Sequence, residues 1–181
     1  MTNTTKIRMT ASQFFALPES NQIRELIDGE LIVNPPKDPH QVIGGNTYFY
    51  LRQIMPNGKA RVSPVGVYLD EINILEPDVF WVSPTNNNCA LHEDQYWHGA
   101  PDLIVEVLSP PTARQDRVVK FQLYEKYGVR EYWIIEPLDL YVEVWNYEAG
   151  KFAFQGSYRP GAVFASRTLG AEIIVARLLM E

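Results

Sequence analysis

Two acidic residues of this sequence, Asp78 and Glu106, lie in predominantly apolar segments, where a charged side chain requires an explanation. Glu106 lies within the apolar run Leu103 to Leu108, which predicts a strand buried on both faces at the centre of a sheet. A charge there is costly unless a cation or a hydrogen-bond network meets it. Asp78 opens a second apolar strand, Pro77 to Val82, although an aspartate after proline is also typical of a turn. Asp102 follows a proline at a strand edge, and there we favour the turn.

A third charged residue, Lys120, lies on a predicted helix that runs from about Ala113 to Tyr127. At about 100° per residue, its side chain points to the same side as the apolar stripe of the helix, which must face the sheet. Asp116 points to that side as well. The stripe consists of Val119, Leu123, Tyr124 and Tyr127. Lys120 therefore points inward, either to pair with Asp116 four residues before it or to reach Glu106.

Two carboxylates from neighbouring strands and an inward lysine are together typical of a site for a hard divalent cation. Oxygen ligands bind Mg²⁺, which keeps several waters and takes further ligands from a phosphate. Such an ion activates water and neutralises the charge that develops on a scissile phosphate. A nearby ammonium adds electrostatic stabilisation or positions the water. Asp78, Glu106 and Lys120 thus indicate metal-dependent cleavage of a phosphodiester.

The composition limits the classes of protein that need to be considered. A chain of 181 residues with 46% hydrophobic residues predicts one domain, residues 1–181, with a sizeable core. The net charge of −6 argues against a general nucleic-acid coat protein. The single Cys89 excludes an internal disulfide and a cysteine metal site, and we interpret it as an inert thiol in a loop. We find no secretion signal and no membrane-length apolar run, so we expect a cytoplasmic protein.

The predicted elements form a mixed α/β arrangement. The predicted helices are Thr10–Leu17, His40–Met55 and Ala113–Tyr127, and the predicted strands are Ala60–Asp70, Pro77–Val82, Asp102–Leu108, Glu131–Glu136, Tyr141–Tyr147 and Lys151–Tyr158. Asp28-Gly29 predicts a hairpin over Ile23 to Val33, which carries Glu25 and Glu30. Residues 84–99 read as a polar, mobile loop, and residues 169–180 fit either a strand or a helix. The whole predicts a mixed sheet flanked by helices, with added hairpins at both ends.

The order of these elements and five short motifs together resemble a known family. From His40 to Glu136 the order resembles the core of the PD-(D/E)XK nuclease superfamily, with Pro77-Asp78 as its PD. More closely, the chain is similar to the Uma-two family, which is classed with the restriction endonucleases. The motifs are ELIDGELI from Glu25, EPDV from Glu76, PDLIVEVLSP from Pro101, the helix with Asp116, Lys120, Tyr124 and Gly128, and EYWIIEP from Glu131. The resemblance covers nearly the whole chain and implies a restriction-endonuclease-like fold with a core at about residues 40–136.

The resemblance also implies roles for individual residues. Asp78 and Glu106 would be the metal ligands, with help from the Val107 carbonyl, as in the wider superfamily. The lysine expected two residues after Glu106 is Leu108 here, and the resemblance implies that Lys120 takes its role. The acidic residue often found on the first core helix is absent from this sequence.

Three further side chains are weighed for the same site. Glu25 is the candidate substitute for the missing acidic residue, as an auxiliary ligand or base, and Glu30 is a weaker one. His40, at a predicted helix start, is interpreted as a surface residue, although it could lie near the site.

We interpret the protein as an endonuclease that hydrolyses DNA with Mg²⁺ or Mn²⁺ bound by Asp78 and Glu106. The superfamily implies products with a 5′-phosphate and a 3′-hydroxyl. One alternative is a nuclease fold that no longer cuts and instead binds nucleic acid or a protein. Another is a hydrolase of a different class that uses Glu25 and Glu106 as an acid–base pair, which would need no metal.

Two surface features suggest partners. The segment from Thr112 to Arg130 carries five basic residues against two acidic ones, and a phosphate backbone could bind there. The hairpins after Pro137 are rich in aromatic residues, and alternation along a strand should leave some of them exposed. Exposed aromatic surface often marks an interface, so we expect a homodimer, as for nucleases that cut the two strands of a duplex in pairs.

Overall fold

The computed structural model of the chain describes residues 8–18, 22–34 and 38–180. In this part of the chain the helices are α1 (Ala11–Phe15), α2 (Asp38–Ile54), α3 (Phe121–Lys126) and α4 (Ala176–Leu179). A π-helical segment (Gln115–Lys120) runs directly into α3. No helix formed by the described residues has the length and apolar character needed to cross a membrane.

The strands of the same residues form three sheets. They are β1 (Ile23–Ile27), β2 (Glu30–Asn34), β3 (Lys59–Val62), β4 (Val67–Asp70), β5 (Asn73–Leu75), β6 (Val79–Val82), β7 (Ala90–Leu91), β8 (Trp97–His98), β9 (Leu103–Val107), β10 (Glu131–Glu136), β11 (Tyr141–Glu148), β12 (Lys151–Tyr158), β13 (Val163–Ser166) and β14 (Ala171–Ile174). The central sheet has the order β12-β11-β10-β9-β6-β3, and the second sheet has the order β2-β1-β5-β4-β8-β7. Strands β13 and β14 form a separate hairpin.

Strand β9 is the buried centre of the molecule, as its apolar run predicts. All five of its residues are buried, and it pairs with β10 in parallel and with β6 in antiparallel. The π-helical segment and α3 form the crossover between β9 and β10. Side chains of β9 alternate between two cores: Val105 packs in the cluster that includes Leu51 of α2, and Ile104 packs in the cluster that includes Leu123 of α3. Glu106 therefore points to the side of the crossover helix.

The turns and caps follow the local sequence closely. Thr10 caps α1 in a capping box with Gln13. Asp28 and Gly29 join β1 to β2 with φ angles of 48° and 76°. Positive φ at both central positions is what a two-residue hairpin turn requires. The predicted fold class, a mixed sheet flanked by helices with hairpins at both ends, is confirmed, and the short helix and the first hairpin agree with their predictions.

Several predicted elements were wrong in detail. The single strand predicted over Ala60–Asp70 is two strands in different sheets, since Ala60 pairs with Trp81 and Val67 pairs with Leu75. Pro64 lies between them, and a proline cannot donate a ladder hydrogen bond. The predicted loop at residues 84–99 contains β7 and β8.

Two of the segments in question, residues 84–99 and residues 169–180, have a defined structure. Trp97 holds the 84–99 segment because its side chain is buried in the core. The ambiguous stretch at residues 169–180 holds both a strand and a helix, β14 and α4.

Candidate active site

Asp78 and Glu106 lie side by side because β6 and β9 are antiparallel neighbours. Val79 pairs with Val105, and one further step along this register brings Asp78 opposite Glu106. The backbone N–H of Val107 donates to Oδ2 of Asp78 at 2.7 Å, and this bond is buried. Glu106 itself is only 1% exposed. Two carboxylates from adjacent strands thus lie on the same face of the central sheet.

Lys120 lies between three buried carboxylates. Its Nζ is 2.8 Å from Oε1 of Glu25, 3.1 Å from Oε1 of Glu106 and 3.4 Å from Oδ1 of Asp116. Both alternatives for its side chain are therefore realised, because it pairs with Asp116 and also reaches Glu106. The inward direction that the helical angles predicted for Lys120 and Asp116 is confirmed, since both side chains are buried.

The helix that carries Lys120 is not the α-helix that the sequence predicted. Residues Gln115–Lys120 form a π-helix, whose wider turns close i→i+5 hydrogen bonds. Val119, which the 100° spacing put on the inward stripe, is 36% exposed, and Val118 beside it is 45% exposed. The wider turn lets Asp116 and Lys120 both face the cluster while it turns the two valines outward. π-helical turns of this kind occur frequently at functional sites.

Glu25 enters the site from the second sheet. It is buried on β1, and its Oε1 accepts from the backbone N–H of Glu76 at 3.0 Å as well as from Lys120. Gln115 donates to its other oxygen at 3.4 Å. The first hairpin therefore brings an acidic residue to the cluster. Glu30, on the other strand, is exposed beside the turn.

Two tyrosines hold the acidic side chains in position. The hydroxyl of Tyr124, on α3, donates to Oε1 of Glu106 at 2.6 Å. The hydroxyl of Tyr132, on β10, donates to the backbone carbonyl of Asp116 at 3.1 Å. Both rings are fully buried and lie edge to face, with ring centroids 5.2 Å apart. The two tyrosines therefore fix the carboxylate of Glu106 and the helical turn that carries the carboxylate of Asp116.

His40 belongs to the site, which corrects its interpretation as a surface residue. Its Nε2 is 3.0 Å from Oδ2 of Asp78, and its side chain is 16% exposed. Burial by itself lowers the pKa of His40, but the hydrogen bond and the charge of Asp78 outweigh it, so that the pKa is raised. The sequence could not predict this contact, because only the fold brings the start of α2 next to the start of β6.

The electrostatics of the cluster are dominated by burial and by an excess of carboxylates. Burial raises the pKa of Glu106 well above its usual range despite Lys120, and nearby Asp78 adds to the effect. Burial likewise raises the pKa of Asp116. For Lys120, burial acts to lower the pKa, but the carboxylates of Glu106, Glu25 and Asp116 outweigh it and hold the pKa well above its usual range.

Glu76 adds a further acidic group to the rim of the cluster, and sequence analysis did not single it out. Burial, and then the charge of Glu25, raise the pKa of Glu76 to about 7. Its Oε2 is buried without a hydrogen-bond partner among the described residues. The sequence feature that could have identified Glu76 is its position in the EPDV motif, two residues before Asp78.

The donor set fits a hard divalent cation in its chemistry. Four carboxyl groups, those of Glu25, Asp78, Glu106 and Asp116, are buried in the cluster, and the ammonium of Lys120 contacts three of them, so that carboxyl groups outnumber the ammonium. Carboxylate and backbone carbonyl oxygens are the ligands that Mg²⁺ and Mn²⁺ prefer. In the described part of the chain no three His, Cys, Asp or Glu side chains converge as a ready-made ion cage.

Other sequence-selected residues lie outside the cluster. Asp102 is structural, because its Oδ2 accepts from the backbone N–H of Ser83 at 2.7 Å. The basic segment is largely neutralised, because Arg117 pairs with Glu143 and Arg130 with Asp102. That a phosphate backbone could bind along this segment stays a prediction, and Arg114 is the exposed arginine of the segment that takes no part in these ion pairs.

Comparisons with known proteins agree with this architecture. A family model described as "Uma2: Putative restriction endonuclease" matches residues 11–176. The fold is similar to that of a crystal structure from Anabaena variabilis described as a putative nuclease belonging to DUF820, with a TM-score of 0.75 and 19% sequence identity. The match covers 94% of this chain and 97% of that chain. No curated protein matches. The chain is therefore a member of the Uma2 family, and its fold is similar to that of a protein described as a putative nuclease.

Proposed function

We propose that the protein is a Mg²⁺- or Mn²⁺-dependent endonuclease that hydrolyses phosphodiester bonds of DNA. Family membership and the nuclease fold support a nuclease in general. The observation that carries the finer assignment is the buried hydrogen bond from the Val107 N–H to Asp78, which holds Asp78 beside Glu106. Two carboxylates fixed in this way, with a lysine 3.1 Å from one of them, fit the acidic site of a metal-dependent nuclease.

Asp78, Glu106 and the Val107 carbonyl are the groups that would hold the ion. When bound, it supplies charge neutralisation at the scissile phosphate and a more acidic water. His40 contacts Asp78 and holds that carboxylate in place. Tyr124 does the same for Glu106. The protein's own part is therefore to hold two buried carboxylates in a fixed orientation.

Lys120 acts in this proposal as a charged group and not as a base. Three carboxylates keep its pKa high, so the ammonium remains protonated at neutral pH. It can then orient the attacking water or stabilise negative charge on the phosphate oxygens. Glu25, whose two oxygens contact Lys120 and Gln115, is the candidate proton acceptor or auxiliary ligand.

An acid–base pair of Glu25 and Glu106 has less support. The ammonium of Lys120 lies between the two carboxylates, 2.8 Å from Glu25 and 3.1 Å from Glu106, where the scissile bond of a substrate would have to lie for an acid–base pair to act on it. We also propose that residues 1–181 form a single domain and that the protein acts as a homodimer.

Nicking of supercoiled plasmid tests the proposed function. The wild-type protein should convert the plasmid to nicked and linear forms with Mn²⁺ and leave it intact in EDTA. Asp78→Asn should lose this activity, whereas Asp102→Asn, the matched change at the other Pro-Asp pair, should retain it if its thermal midpoint shows a folded protein. An inactive wild-type protein that still binds DNA would favour the binding-module alternative.

A further inference from the structure

A groove of about 770 Å³ lies beside the acidic cluster. One wall is the first hairpin, including Asp28 to Ile32, and the other is formed by Pro111, Arg114 and the outward side of the π-helical segment. A site of this volume accommodates a ligand the size of one or two nucleotides. The groove is open to solvent on the outward side of the π-helical segment, and Lys120 lies on the inward side of that segment.

The groove has an apolar surface that the fold does not use. Val118 and Val119 are 45% and 36% exposed, and both line the groove. Ile32 lines it from the hairpin side. Adjacent exposed valines on the helix nearest to the acidic cluster are explained neither by the core nor by the metal ligands. Exposed aliphatic side chains of this kind can pack against the faces of sugars and bases.

The groove also holds two arginines without partners. Most arginines of the chain are bonded, as Arg117 is to Glu143. Within the described residues, Arg8, Arg52 and Arg114 have no hydrogen bond, ion pair or ring contact. Two of these three, Arg8 and Arg114, line the groove. On a chain with a net charge of −6, unpaired guanidinium groups at one place point to an anionic ligand.

The groove is connected to the acidic cluster by a short chain of contacts. Gln115 lines the groove, and its Nε2 donates to Oε2 of Glu25 at 3.4 Å. The other oxygen of Glu25 is 2.8 Å from Nζ of Lys120. Asp28 and Glu30 also line the groove, at its hairpin wall. Arg8 lies beside Gly29 at that same wall, so each wall of the groove carries one arginine.

We infer that this groove binds an unpaired segment of the nucleic-acid strand that the acidic cluster cuts. Arg8 and Arg114 contact its phosphates, and Val118 and Val119 contact the faces of its sugars or bases. A volume of about 770 Å³ corresponds to one or two nucleotides, so the groove cannot enclose a duplex. This inference rests on the proposed nuclease function, because it names the form of the substrate.

Fluorescence anisotropy with a labelled single-stranded oligonucleotide in EDTA measures this binding without cleavage. The double variant Arg8→Gln/Arg114→Gln should bind about ten- to hundredfold more weakly than wild type. Its salt dependence should fall by about 1.4 in slope, since two phosphate contacts on a single strand are lost. Arg52→Gln removes the third unpaired arginine, which does not line the groove, and should bind as wild type does.

A second pair of variants tests the apolar surface. Val118→Ser/Val119→Ser should weaken single-strand binding several-fold and leave the salt slope unchanged. Val163→Ser, a similarly exposed valine of β13, is the matched control and should have no effect. All these side chains are exposed, so the thermal midpoints should stay close to that of the wild type.

Three outcomes would overturn the inference. They are wild-type affinity in both groove variants, duplex binding as tight as single-strand binding, and a change of oligomeric mass in the valine variant, which would make the surface a contact between copies. Failure of the proposed function looks different. In that case the wild-type protein binds the strand through the groove but does not nick plasmid with Mn²⁺.

Discussion

The hydroxyl of Tyr124 donates to Oε1 of Glu106 at 2.6 Å, and Lys120 contacts the same oxygen at 3.1 Å. Tyr124 lies one helical turn after Lys120 and is fully buried against Tyr132. The crossover helix thus supplies both groups that orient this carboxylate. Because the backbone of Glu106 belongs to the central strand β9, its carboxylate is held between that strand and the crossover helix.

Tyr124→Phe should therefore lower cleavage without unfolding the protein. Loss of the hydrogen bond leaves a buried carboxylate less well satisfied, which should cost about 1–3 kcal/mol of stability. Groups that orient metal ligands typically change affinity or activity by about 10–100-fold, and we expect a loss of this size in Mn²⁺ affinity and nicking. Tyr132→Phe, whose hydroxyl bonds only the Asp116 carbonyl, is the matched control. A folded Tyr124→Phe protein with wild-type Mn²⁺ affinity would show that the hydroxyl does not position Glu106.

Lys120→Met should affect both stability and activity. The ammonium neutralises three buried carboxylates, so its removal should cost about 3–5 kcal/mol of stability and lower the thermal midpoint. Mn²⁺ should raise the midpoint of this variant more than that of the wild type, because the site has become more negative. Plasmid nicking should be lost at temperatures at which the variant is folded. Nicking at the wild-type rate would remove Lys120 from the mechanism.

The matched change for that experiment is Lys151→Met. Lys151 is exposed and pairs with Glu125 at the surface, 2.9 Å away. Exposed pairs of this kind contribute little, so this variant should melt and nick as the wild-type protein does.

Cys89 should be inert in the folded protein. Its Sγ–H donates to the carbonyl of Gly99 at 3.4 Å, and burial raises the pKa of the thiol to about 12. Only the thiolate reacts, so Ellman's reagent at pH 8 should detect no thiol in the native state. The same reagent should detect one thiol per chain in guanidinium. Rapid reaction of the native protein would show that the segment at residues 84–99 opens readily.

The protein should be a dimer at micromolar concentration. Of the aromatic residues in the β11–β12 hairpin, Phe154 is 54% exposed and Tyr147 is 37% exposed. Light scattering should give about twice the chain mass of 20.8 kDa. Phe154→Ser should shift the mass towards the monomer, and Leu138→Ser, at an exposed turn, should not. A monomeric mass for the wild-type protein would contradict the expected dimer.

The site residues could be predicted from sequence where the local pattern was strong. Glu106 stood out because the buried strand around it is apolar without a break, and Lys120 because it interrupts an apolar helical stripe. His40 could not be assigned, since only the packing of α2 against the central sheet brings it to Asp78. Val119 was placed on the wrong face because a π-helical turn cannot be told from an α-helical one by periodicity.

The second sheet was not predicted as a unit for a different reason. Strands β4, β5, β7 and β8 are only two to four residues long. Segments of that length have no period to read, and their pairing is decided by partners distant in sequence. Glu25 lies on that sheet, so its distance of 2.8 Å from Lys120 depends on contacts that a local pattern does not contain.

Calorimetric titration with Mn²⁺ of wild-type protein and of Glu106→Gln tests the central claim most directly. The claim is that Asp78 and Glu106 together form a divalent-cation site. Wild type should bind Mn²⁺, and Glu106→Gln should not, while its thermal midpoint shows that it is folded. Glu131→Gln changes another fully buried glutamate of the same sheet, bonded to Ser166 and Trp133, and should bind as wild type does if folded. Undiminished Mn²⁺ binding by folded Glu106→Gln would contradict the claim.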